Sequence, residues 1–96
     1  MSKRDAYVKK AKVQIDKFND KISKLEEKAK HVSEDAKSKY ESKIQDVKKS
    51  IETIKSKIAD IQESGEDSWN ELKHGIDESW SALKKGIKEA KSKLKH

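Results

Sequence analysis

The sequence predicts an all-α protein: an antiparallel coiled-coil helical hairpin that forms an oligomer, with an up-down-up three-helix bundle as the alternative. Three observations predict it. Apolar residues recur at alternating steps of three and four along most of the chain, the period of one helix face. An eleven-residue unit, acid-Ser-Trp-x-x-Leu-Lys-x-Gly-Ile-x, is written twice, over 67–77 and 78–88. Proline is absent, and glycine breaks the pattern strongly at one place, Gly65.

The first stripe runs Val8, Ala11, Ile15, Phe18, Ile22, Leu25, Ala29, Val32, Ala36. Steps of four then lead through Tyr40 to Ile44, a stutter that unwinds a supercoil locally without ending the helix. Three-four stepping resumes at Val47, Ile51, Ile54, Ile58 and Ile61, where isoleucine at both seam positions favours assemblies larger than a dimer. Between seam residues lie opposite charges three or four apart, such as Asp20 with Lys24, Glu26 with Lys30 and Glu34 with Lys37. Each pair supports a helix by about 0.2–0.5 kcal/mol.

The expected corner lies at about 64–67. Gly65 is placed for a left-handed helix stop, and Asp67 or Ser68 for capping the next helix. A second corner is weighed at Ser33, which precedes Glu34 and Asp35 as an N-cap would; Val32 and Ala36 stay in phase across it. The expected arrangement is thus one domain over 1–96, with a helix over about 5–63, a turn over about 64–67 and a helix over about 67–93. The first helix outruns the second, so Ile15, Phe18, Ile22 and Leu25 are expected to pair with another copy. A second corner near Ser33 would give the three-helix bundle instead.

In the last helix Trp69, Leu72, Ile76, Trp80, Leu83, Ile87, Ala90 and Leu94 share a narrow stripe. Eleven residues make about three turns at roughly 3.67 residues per turn, so the repeat stacks Trp, Leu and Ile nearly straight. Its borders differ: Ser68, Gly75, Ser79 and Gly86 on one side, Lys73, Lys84 and Lys91 on the other. A mid-helix glycine costs about 1 kcal/mol relative to alanine, so two at matched positions point to a helix passing close by. The packing and oligomer seam is therefore read as Ile15, Phe18, Ile22, Leu25, Ile44, Val47, Ile51, Ile54, Ile58, Ile61, Trp69, Leu72, Ile76, Trp80, Leu83 and Ile87.

Composition limits what this scaffold does. Of 96 residues, 31% are hydrophobic and 44% charged, which leaves a marginal core for a lone chain. The absence of cysteine excludes disulfides, thiolate metal sites and cysteine nucleophiles. No apolar run approaches the roughly 18–20 residues of a membrane span, and the first residues do not read as a secretory signal, so a cytoplasmic protein is expected. The net charge of +6 comes from 24 basic and 18 acidic residues interleaved along the chain, the ordinary solvated surface of long helices. By thirds, 1–33 carries +5, 34–66 carries −1 and 67–96 carries +2.

Several chemistries find no support. His31, His74 and His96 have no second ligand at metal spacing. Adjacent acids such as Glu26 with Glu27, or Asp77 with Glu78, splay about 100° apart on a helix and cannot act as an acid–base pair. Gly65, Gly75 and Gly86 form no phosphate-cradling loop. The pI near 9.4 suggests polyanions, but scarce arginine and interrupting acids allow only weak, sequence-independent nucleic-acid contact. No catalytic residue, cofactor, metal or small-molecule substrate is expected.

Lys3-Arg4-Asp5-Ala6-Tyr7-Val8, the run Ile22-Ser23-Lys24-Leu25-Glu26-Glu27-Lys28-Ala29, Tyr40 and the doubled Trp-x-x-Leu block together resemble a family of small bacterial coiled-coil stress-response proteins. The resemblance spans nearly the whole chain and implies a helical, non-enzymatic protein linked to stress. Relatives commonly carry alanine where this chain has Ser68 and Ser79, so its small border is more polar. The leading expectation is a non-catalytic structural or interaction protein that self-associates through its seam as a homo-oligomer. The alternative is a peripheral binder of anionic membrane surfaces, with Trp69, Trp80, Lys84, Lys88 and Lys91 as lipid contacts.

Overall fold

The computed structural model describes residues 2–65 and 67–94, which form three helices: α1 (Lys3–Ala29), α2 (Glu34–Glu63) and α3 (Trp69–Lys93). Ser2 caps α1, its Oγ accepting from the Asp5 amide at 3.1 Å, and Asp5 puts negative charge at the positive end of the helix dipole. The chain then turns at 30–33. The amides of Lys30 and His31 donate back to the Glu27 and Lys28 carbonyls at 3.3 and 3.1 Å, and Ser33 starts α2. Ser33 is extended (φ −62°, ψ 158°), its Oγ accepts from the Ala36 amide at 3.2 Å, and Glu34 and Asp35 fill the first turn.

The unbroken helix expected over about 5–63 is therefore two helices, and the three-helix bundle is the arrangement that forms. Folding back at Ser33 buries the α1 stripe inside its own chain. The serine hydroxyl accepts from one of the amides that the break exposes, and the two acids place negative charge at that helix end.

The second corner is also corrected in detail. Ser64 ends α2 with its Oγ donating to the Ile61 carbonyl at 2.7 Å. No described residue, Gly65 included, has a positive φ, so the left-handed stop is not used. Ser68 makes no side-chain cap, and α3 begins at Trp69. Glu66, within the expected turn, lies outside the described residues, as do Lys95 and His96.

α1 and α2 run antiparallel, α2 and α3 antiparallel, and α1 and α3 parallel, in a rod of 50 × 19 × 16 Å. The seam residues lie in one core, fully buried except for Leu72 and Trp80, which are partly buried against it. Ile15, Phe18, Ile22 and Leu25, expected to await a second copy, are buried within the single chain. Among the described residues the large hydrophobic left exposed is Val13, at 46%. The helices are not equally spaced: α2 and α3 lie closest, α1 and α3 farthest apart.

Candidate functional site

The two borders of α3 meet different neighbours. On the small side, a Cβ added at Gly86 would lie 2.9 Å from Val47 Cγ2, and one at Gly75 would lie 3.5 Å from Lys57 Nζ. The repeated glycine thus faces α2. On the large side, Trp69 meets Tyr7 with ring centroids 5.8 Å apart, and Trp80 stacks on Phe18 at 5.7 Å with an interplanar angle of 16°.

Tyr7 and Phe18 are themselves eleven residues apart, so two parallel helices with matching aromatic spacing stay in register over three turns. Tyr7 was not identified as a packing residue from the sequence; its spacing to Phe18, equal to that of the tryptophans, was the available signal. The Tyr7 hydroxyl donates to Asp77 Oδ1 at 3.0 Å. Burial first, then the hydrogen bond to Asp77 and its negative charge, raise the phenol well above its ordinary pKa.

Flanking this aromatic ladder is a face rich in lysine. On α1, Lys3, Lys10, Lys17, Lys21, Lys24 and Lys28 fall within about 60° of one another at 100° per residue, and no acid shares that band. On α3, Lys73, Lys84, Lys88 and Lys91 border the tryptophans with one acid, Asp77, among them. A groove of about 370 Å³ joins the two rows, with Leu25 and Ile87 at its base and Lys21, Lys24, Lys28 and Lys91 around it. Two lysines also lie over the ladder: Lys21 Nζ is 5.4 Å from the Phe18 ring centroid and Lys73 Nζ 5.6 Å from that of Tyr7.

The acids that form ion pairs lie elsewhere. Glu26 pairs with Lys48 at 2.6 Å, Glu27 with Lys30 at 3.2 Å, Asp35 with Lys39 at 3.2 Å, Glu52 with Lys55 at 3.4 Å, and Glu89 with Lys43 at 3.8 Å. Among the described residues no ion pair within 4 Å uses a lysine of the α1–α3 face. The pairs expected from spacing alone, Asp20 with Lys24, Glu26 with Lys30 and Glu34 with Lys37, are not among those formed.

Of the candidate lipid contacts, Lys84, Lys88 and Lys91 are exposed on this face. Trp69 is 7% exposed and Trp80 is half-buried in its stack, so neither is presented for insertion into a bilayer. In this fold both indoles fill the space between α1 and α3.

Among the described residues no three His, Cys, Asp or Glu side chains gather to hold a metal ion, and His31 and His74 are exposed. No described helix is long and apolar enough to cross a membrane. The Tyr40 hydroxyl is buried with no hydrogen-bond partner, and its pKa is pushed up to about 12 by burial and then by the charges of Glu26 and Glu41. Comparison with family models, curated proteins and solved structures finds no match to this chain.

Proposed function

We propose that this protein is a non-catalytic helical interaction protein whose α1–α3 face docks reversibly on an anionic membrane surface. The observation that carries the proposal is charge segregation: lysines interleaved with acids in the sequence form two rows in space, outside the ion pairs that occupy the other faces. A lysine held near an anionic bilayer contributes about 1 kcal/mol. If half of the nine lysines from Lys10 to Lys91 on the face engage at once, docking gains about 4–5 kcal/mol, a millimolar-class attraction. Such binding is weak and steep in salt, because the attraction falls off within about 8 Å at physiological ionic strength.

The apolar seam is already covered inside the chain, so the bundle docks as a folded unit without inserting its tryptophans. A cytoplasmic location and a bacterial stress setting are proposed with it, the latter on the resemblance of the repeat and N-terminal residues alone.

Sedimentation with vesicles tests this. Binding is expected to vesicles rich in phosphatidylserine or phosphatidylglycerol and not to neutral ones, with unchanged tryptophan emission. Lys21→Gln/Lys24→Gln/Lys91→Gln is expected to weaken it about 10-fold, and Lys39→Gln/Lys49→Gln/Lys85→Gln, exposed away from the face, much less. Equal losses from the two triple variants would refute the assignment of the face.

A further inference from the structure

We propose that α1 can be exchanged between two copies of this chain, with 30–33 straightening into helix to give a domain-swapped dimer. The apolar stripe does not change phase at the corner: Leu25, Ala29, Val32, Ala36 and Tyr40 keep steps of three and four through it. The corner residues Lys30, His31, Val32 and Ser33 include neither glycine nor proline, and no described residue has a positive φ. Lys30 is already in the helical region, and Ser33 has a helical φ with an extended ψ. The corner is a segment that forms a turn or a helix without a steric penalty for either.

The open form is expected to keep the closed form's packing. α1 is the helix set apart from α3, while α2 and α3 form the close pair that would remain intact. In the closed bundle Ile15 and Ile58 line one α1–α2 groove, and Glu26 pairs with Lys48. Carried past the corner, that antiparallel register sets Ala36 against Ala36 of the second copy at a two-fold axis. Val32, half-buried in the single chain, would then pack beside Tyr40 of the second copy. Straightening also satisfies the amides and carbonyls that a helix break leaves open. Against it stand the Ser33 cap and the entropy of association. Exchange of an identical element is a low-cost route to a dimer, and short hinges favour it. The second copy is thus the partner, taken up by opening the bundle and not by any free apolar face.

The test uses the full chain, which lacks cysteine. Glu26→Cys/Lys48→Cys chains are refolded at millimolar and micromolar concentration, separated by size with light scattering, and treated with a flexible bismaleimide as long as the ion pair it replaces. The monomer peak is expected to link within one chain, and the dimer peak to give covalent two-chain species on a denaturing gel. Ser33→Ala removes a cap worth about a factor of five in an equilibrium constant. Two corners open per dimer, so the dimer dissociation constant is expected to fall about 30-fold. Inserting Gly-Gly after Val32 is expected to restore the monomer. A dimer peak that links only within chains overturns the proposal, and so does the absence of dimer at millimolar concentration in Ser33→Ala.

Discussion

Gly75 and Gly86 occupy the same slot of the repeat, yet alanine at each is expected to act with opposite sign. In a helix interior, glycine to alanine gains about 1 kcal/mol from backbone entropy and burial of the added methyl. At Gly75 the new Cβ would meet Lys57 Nζ at 3.5 Å, an ordinary contact with the end of a flexible side chain. Gly75→Ala is therefore expected to keep the whole gain, raising the midpoint of thermal unfolding by about 4–8 °C for a domain of this size. At Gly86 the Cβ would lie 2.9 Å from Val47 Cγ2, and Val47 is 1% exposed and β-branched, hence stiff at χ1. Overpacking of this kind costs about 1–3 kcal/mol, so the net effect of Gly86→Ala runs from nothing to a loss of about 2 kcal/mol. Urea unfolding followed by circular dichroism measures both. The cycle with Val47→Ala isolates the contact: the double variant is expected to be about 1–2 kcal/mol more stable than the two single losses sum to. If Gly86→Ala stabilises as much as Gly75→Ala, with no coupling to Val47, glycine does not set the approach of α3 to α2.

Further outcomes follow from the aromatic groups. Tyr40→Phe removes a buried hydroxyl that has no partner and is expected to stabilise the bundle by about 1 kcal/mol in urea unfolding; a loss of stability would show that the hydroxyl is satisfied. With the Tyr40 pKa raised to about 12 in the fold against 10 in the unfolded chain, the unfolded state loses its proton first. This contribution to stability is constant below about pH 10 and falls by up to about 1.4 kcal/mol per pH unit between about pH 10 and 12, a decline that should be shallower in Tyr40→Phe. The Phe18–Trp80 stack should show as a coupling of about 0.5–1.5 kcal/mol in a cycle of Phe18→Leu and Trp80→Leu, and a coupling near zero would remove the stack from the register.

The period of the apolar residues identified the core but not the path of the chain through it. Each seam residue from Ile15 to Ile87 packs into one core because a helix places residues three and four apart on a common face whatever that face meets. The same fact hid the first corner. Val32 and Ala36 have one phase whether the chain bends at Ser33 or runs straight, so the stripe cannot report whether its cover comes from the same chain or another. The deciding signal was local: Ser33 followed by two acids, which the structure uses as a cap. The glycine border was legible as a close approach because helical glycine is costly without one, although Gly65 needs no left-handed conformation. The α3 half of the lysine face was legible as a border of the repeat, but the α1 row was not, since acids and lysines alternate along α1. Only the parallel placement of α3 beside it shows which lysines are brought together.

A single asymmetry in α3 links core and surface. At Gly86 one border lets α2 approach until Val47 would crowd an added methyl; tryptophan on the other border meets Tyr7 and Phe18 in paired rings between α3 and α1. A wider gap needs more covering than Leu25 and Ile87 provide, and long lysine stems supply it while their ammonium groups stay in water. Lys21 and Lys73, lying over the rings, do this directly. The aromatic spacers therefore do more than fill the core, since they set the separation of two like-charged rows that would repel each other if brought closer. An anionic surface relieves that repulsion. On this reasoning the sequence tolerates uncompensated lysines along α1 and α3, while on the faces of α2 nearby acids take up the charge.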